Sequence, residues 1–164
     1  MTIKQLLAES IKKEIPAFVK VLEAIPEDKG DYTPNPSSRT TQSIAAQLAV
    51  QGNAISDIVK KGVLGGESAG LEGIKIKDCP ELARKNFEQA IKDLQDESDE
   101  DFENEDARMV LNGKEVWKDK KYKMAWDMLF DAIHHRGQLS SYLRPMGGKV
   151  PGIYGPSGDD TGGM

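Results

Sequence analysis

Apolar residues recur at spacings of three and four over four long stretches of this chain, and between them the pattern breaks at clusters of Gly, Pro, Asn, Asp and Ser. The first stretch covers residues 3–24, with Ile3, Leu7, Ile11, Ile15, Phe18 and Leu22 on one face. Thr2 and Gln5 have the spacing of a capping box at its start. Pro16 lies inside the pattern, crowding the preceding turn and donating no hydrogen bond, so one bent helix is expected. Residues 25–39 read as an ordered loop with Tyr32 as its anchor. A second helix is expected over residues 40–61, with Ile44, Leu48, Ile55, Ile58 and Val59 inward and Gly62 as its stop. The glycine-rich residues 62–73 read as a linker, since they carry neither the Lys-Ser/Thr of a phosphate loop nor a GxGxxG spacing.

Pro80, with Asp78 upstream, opens a third helix whose Leu82, Phe87, Ala90, Ile91 and Leu94 share a face. The acidic run over residues 93–106 reads as a solvated helix end and loop, with a cation-attracting patch as the functional alternative. Asn112-Gly113 is a strong turn signal and predicts a small hairpin or turn. A fourth helix is expected from about residue 120 to Arg144, where Pro145 disfavours its continuation. Its inward stripe is Ala125, Met128, Leu129, Ala132, Leu139 and Leu143, together with His135. The Gly/Pro-rich tail, residues 145–164, is expected to lie extended, docked by Ile153 and Tyr154. These elements predict an all-α, up-down-type four-helix bundle with long loops, a single domain over residues 1–164.

Composition narrows the class without changing this picture. With 38% hydrophobic and 30% charged residues and a mean hydropathy of -0.53, the 18.0 kDa chain has no apolar run of membrane-spanning length. No membrane association is expected. The first residues carry charges where a secretory signal has an apolar core, so a cytoplasmic location is expected. A net charge of -5 and a pI near 5.1 argue against nucleic-acid binding, which relies on basic patches. Cys79 is the only cysteine and reads as a small apolar residue ahead of a helix.

The candidate chemistry lies on two inward faces. Gln47 and Gln51 fall on the apolar stripe of the second helix, and two buried amides need hydrogen-bond partners. Asp131 and His135 are four residues apart on the last helix and project from one face, so they can share a proton or a metal ion. Gln138 follows on that face. His134 points about 100° away and is expected to pack or bond locally. Gly137 costs about 1 kcal/mol in a helix, for which close approach of another helix is a reason. Trp117 and Trp126 read as core or interface aromatics. Ser140 and Ser141 give no convincing nucleophilic triad with His135.

The stretch LFDAIHHRGQLSSYLRPMGGKVPGIYG, together with TTQSIAAQLAV, resembles the signatures of the DinB-like superfamily of damage-inducible proteins and thiol transferases, and the match covers nearly the whole chain in element order. The resemblance implies a four-helix bundle, a homodimer, and a divalent metal held by three histidines, one from the second helix and two from the last. On this sequence the three ligand positions fall on Gln47, Asp131 and His135. Only His135 keeps the residue type, and an amide oxygen is a weak ligand for zinc, nickel or manganese. Gln51, Gln138 and Arg144 complete the expected pocket, with Arg144 at its mouth or simply capping the helix dipole. Two readings follow. In one, Gln47, Asp131 and His135 form a metal-free hydrogen-bonded cluster in a protein that binds a small molecule or thiol, or acts as an interaction module. In the other, Asp131 and His135 hold a divalent ion in a thiol transferase or hydrolase.

Overall fold

The structure, a computed structural model, describes residues 1–65, 71 and 73–162. Helix α1 spans Ile3–Glu23, and both halves of its capping box form: Thr2 Oγ1 accepts from the Gln5 N–H while Gln5 Oε1 accepts from the Thr2 N–H. The helix runs unbroken through Pro16. Pro16 and Lys12 both lie on the exposed face, so water can satisfy the carbonyl that Pro16 leaves without a donor. Helix α2, Thr41–Lys61, begins at Thr40, whose Oγ1 accepts from the Ser43 N–H, and stops at Gly62 in the left-handed conformation (φ 61°). Helix α3 covers Cys79–Asp96, a short α4 covers Asp99–Asn104, and α5 covers Lys121–Leu143, followed by a 3-10 turn, Arg144–Met146.

The four long helices pack in the order α1, α3, α2, α5 and back to α1, closing a ring around one apolar core. Phe18 of α1 stacks on Phe87 of α3 at 4.8 Å between ring centres, both fully buried. Leu48, Ile55 and Ile58 of α2 meet Leu129, Leu139 and Leu143 of α5 in the same core. Each such side chain contributes about 1.5–3 kcal/mol by leaving water. Gly52 sets the spacing of α2 and α3. A Cβ there would lie 2.4 Å from the Asn86 carbonyl carbon, and Asn86 Nδ2 donates to the Ala49 carbonyl oxygen at 2.8 Å across the same contact. Gly137, in contrast, has nothing within 4 Å of its Cβ position and lies on the exposed face. The close approach expected there is therefore absent among the described residues; Gly52 is the glycine that allows one.

An all-α architecture is corrected by a three-stranded sheet, β1 (Val63–Gly65), β2 (Asp106–Leu111) and β3 (Lys114–Lys120), in that order. The hairpin β2–β3 turns on Asn112 and Gly113, both at positive φ (50° and 74°), the geometry that favours this pair in tight turns. Strand β1 pairs parallel to β2, Val63 opposite Arg108. The glycine-rich stretch expected as a linker thus begins as a strand; its residues 66–70 and 72 lie outside the described residues. Likewise, part of the acidic run is not a solvated loop: Ser98 caps α4, and Phe102 anchors it fully buried.

Beyond Met146 the described tail has neither helix nor strand. Asp159 Oδ2 pairs with Arg144 Nε at 2.9 Å and accepts from the Val150 N–H, while Asp160 Oδ2 accepts from the Gly152 N–H. Ile153 packs on the core. The Tyr154 ring is exposed, yet its hydroxyl donates to Glu14 Oε1 at 2.7 Å and accepts from Arg136 Nη2 at 2.9 Å.

Candidate functional site

Two adjacent helices, α2 and α5, carry all the side chains of the candidate site. Gln47 and Gln51 are one turn apart on α2, and Asp131, His135 and Gln138 are one turn apart in succession on α5. They join in a single polar chain at the edge of the core, with Gln51 and His135 buried and Gln47, Asp131 and Gln138 half-buried. Gln47 Nε2 donates to Gln51 Oε1 at 2.9 Å, and Gln51 Nε2 donates to Asp131 Oδ2 at 2.9 Å. His135 Nε2 lies 3.3 Å from the same Asp131 oxygen, a charge contact slightly long for a hydrogen bond. His135 Nδ1 lies 2.9 Å from Gln138 Oε1. Gln51 is 2% exposed, so the polar groups on which its amide is spent are what make its burial tolerable.

Charge within the chain is polarised. Contact with the His135 ring holds the Asp131 carboxyl below its ordinary 3.8, against partial burial, and the Gln51 N–H adds to the effect. Contact with Asp131 raises His135 above 6.5, against its own burial, with Gln138 assisting and the positive charge of Arg39 opposing. Both ring nitrogens face acceptors, a carboxylate oxygen and an amide oxygen. With Gln138 presenting its oxygen the ring satisfies both as the imidazolium, and with Gln138 presenting its NH2 the neutral ring does so through Nε2–H to Asp131.

Placement of the sequence-predicted residues differs in two respects from a three-ligand arrangement. Gln47 reaches Asp131 only through Gln51, which occupies the nearer position. Arg144 is not part of the polar chain; it pairs with Asp159 of the tail. His134 is exposed, its ring 5.5 Å from that of His135. Trp117 and Trp126 are partly buried against the core. Cys79 begins α3 fully buried, and burial pushes its thiol up to about 11, so it is an inert apolar residue.

The donors available to a divalent ion are one imidazole, one carboxylate and two neutral amides. No group of three His, Cys, Asp or Glu side chains is arranged for a metal among the described residues. Two of these four donors are neutral amides, weak ligands for transition metals, so the set is a poor fit to a firmly held ion, although His135 can donate Nδ1–H to Gln138 and keep its Nε2 lone pair.

Sequence reasoning missed Arg136, which is buried and forms an ion pair with the buried Glu14 of α1. A signal existed: Glu14 falls between Ile11 and Ile15 on the inward stripe of α1, where an acid requires a partner. Arg39, just ahead of α2, was also passed over; its Nε and Nη2 donate to Ser43 Oγ at 3.1 and 2.9 Å.

The profile of the DinB family matches residues 1–161. Among solved structures, a DinB-like protein from Bacillus cereus ATCC 10987 aligns with a TM-score of 0.67 at 18% identity, covering 90% of this chain and 95% of that one. A DinB-like protein from Bacillus subtilis, YjoA, aligns with a TM-score of 0.65 at 17% identity, covering 87% and 92%. At such identities these structures speak for the fold alone. No curated protein matches. No helix among the described residues is long and apolar enough to cross a membrane.

Proposed function

The chain belongs to the DinB family, and from that premise we propose a small-ligand-binding protein whose site is a metal-free polar relay of Gln47, Gln51, Asp131, His135 and Gln138. The observation that carries this reading is the position of Gln51, whose amide bonds both Gln47 and Asp131 and so stands between the third ligand position and the other two. An imidazolium paired with a carboxylate is a recognition element for polar ligands and a weak starting point for coordination. The ring of four long helices is read as a four-helix bundle, one domain with an extended tail across it. The protein is read as a cytoplasmic homodimer; light scattering on the purified chain tests the second copy.

Metal content and the protonation of His135 together test the core of the proposal. Protein purified without a nickel column is expected to hold less than about 0.1 equivalent of zinc, nickel or manganese, and added metal is expected to leave its melting temperature unchanged. In nitrogen-15 NMR spectra at pH 6, His135 is expected to show the doubly protonated ring. Close to one equivalent of a divalent ion, with a thermal gain lost in Asp131→Asn and His135→Ala, would overturn the reading in favour of a metal-dependent transferase or hydrolase built on Asp131 and His135.

A further inference from the structure

The outward face of α5 carries an apolar stripe. Successive helical positions turn by about 100°, so Trp126, Phe130, Ile133 and Gly137 fall within about 60° of arc, with Asp127 and His134 beside them. Phe130 is 56% exposed, and its ring lies 5.6 Å from that of the half-buried Trp126, so the two aromatics form one ridge. Two turns beyond Phe130 the ridge drops to a notch at Gly137, which is exposed and has nothing within 4 Å of its Cβ position. A glycine weakens a helix, and no described residue of its own chain comes close enough to require one there. Asp127 and His134 are exposed as well, and neither has a hydrogen-bond or ion-pair partner among the described residues.

This stripe is complementary to itself when reversed. Trp126 and Gly137 are centred on the level between Asp131 and Ala132, and so are Phe130 and Ile133. A two-fold axis at that level lays a second α5 antiparallel to the first. It sets Trp126 of each copy over the Gly137 notch of the other, and Phe130 of each against Ile133 of the other. The same operation brings Asp127 of each copy within about 3 Å, along the helix, of the level of His134 of the other. A carboxylate there accepts from an imidazole N–H whichever nitrogen carries it. Large residue meets small, ring meets branched side chain, and acceptor meets donor in one register.

We propose that the outward face of α5 is the surface through which two copies of this chain pair, antiparallel across a two-fold axis, with Trp126 and Phe130 as anchors and Gly137 as the notch that admits them. The proposal rests on the homodimer reading and adds the surface and its register. Small residues let helices approach closely, and buried aromatics supply most of the energy of such contacts. Asp131 and Gln138 lie on the opposite flank of α5 from Trp126 and Ile133, so pairing leaves the relay of each copy open to ligand.

The test is sedimentation velocity on the full chain over about 1–500 µM, a range that covers the weak end of specific association. The wild type is expected to pass from monomer to dimer within it. Phe130→Glu, which puts a charge on the ridge, and Gly137→Leu, which fills the notch without touching a described residue of its own chain, are each expected to weaken the dimer about tenfold or more. Asp127→Lys is expected to weaken it less, and the double variant Asp127→Lys, His134→Glu to recover part of that loss, because the exchanged charges again face each other. Unchanged circular dichroism and an unchanged His135 NMR titration in Phe130→Glu check that fold and relay remain intact. A wild-type dimer that persists undiminished in Phe130→Glu and Gly137→Leu would overturn the assignment to α5 while leaving the homodimer reading in place. A double variant no stronger in association than Asp127→Lys would overturn the antiparallel register. A wild type still monomeric at about 500 µM would overturn both the surface and the homodimer.

Discussion

Asp131 and His135 stabilise each other only while one is ionised and the other protonated, which fixes the pH range of their contribution. His135 titrates above 6.5 in the folded chain, so its stabilisation is fully present below 6.5 and is lost as pH rises through the raised value. Asp131 titrates below 3.8, so its stabilisation is present above 3.8 and is lost as pH falls through the lowered value. The stability lost in His135→Gln, measured by urea unfolding, is therefore expected to be greatest between these two ordinary values and to shrink as pH rises through the raised His135 value. A gap that grows with pH would contradict the assignment. Gln51 makes a separate prediction. Its removal in Gln51→Ala takes a partner from the Asp131 oxygen and the Gln47 amide, both half-buried and open to water, and about 0.5–1.5 kcal/mol of stability is expected to go with it. The spacing in the sequence located this chemistry but could not order it. Gln47 and Gln51 differ by about 40° around the helix axis, and which one meets Asp131 depends on where α5 crosses α2.

At the scale of elements, legibility followed the physics of local signals. The capping box at Thr2 and Gln5, the Gly62 stop and the Asn112-Gly113 turn all act over a few residues, and all three appear where local chemistry puts them; the Thr40 cap is equally local. Strand β1 has three residues and pairs with a strand more than forty positions away, so no periodicity could reveal it. Glycine inside a helix is ambiguous for the same reason, since its backbone cost is visible and its neighbour is not. The two helical glycines consequently predict opposite outcomes for one substitution. Gly52→Ala forces a methyl against the backbone of Asn86 and Phe87, and a loss of about 1–3 kcal/mol from overpacking is expected as α2 and α3 are pushed apart. Gly137→Ala meets open space in a helical conformation and is expected to gain up to about 1 kcal/mol. Chemical unfolding of both variants checks the pair, and a stabilising Gly52→Ala would mean that the α2–α3 contact is looser than described.

Across the whole molecule, the tail is joined to the helical ring by a buried charge pair that neither contributes to the relay nor follows from hydrophobic patterning. Glu14 and Arg136 are 7% and 5% exposed, Arg136 lies over the rings of Phe18 and Tyr154, and the Tyr154 hydroxyl bridges the two charges. Removing one charge leaves the other buried without compensation, so Glu14→Gln is expected to cost about 3–5 kcal/mol. Replacing both charges with apolar side chains of similar size removes that penalty, and the double variant Glu14→Leu, Arg136→Met is expected to recover most of the loss. What the double variant should not recover is attachment of the tail. Its Tyr154 hydroxyl has lost both partners and turns to water, while the pairing of Arg144 with Asp159 is untouched. Limited proteolysis is therefore expected to cleave the double variant near Tyr154 faster than the wild type at equal global stability. Equal cleavage rates would show that Arg144, Asp159 and the packing of Ile153 hold the tail by themselves, and that the buried pair serves the α1–α5 contact alone.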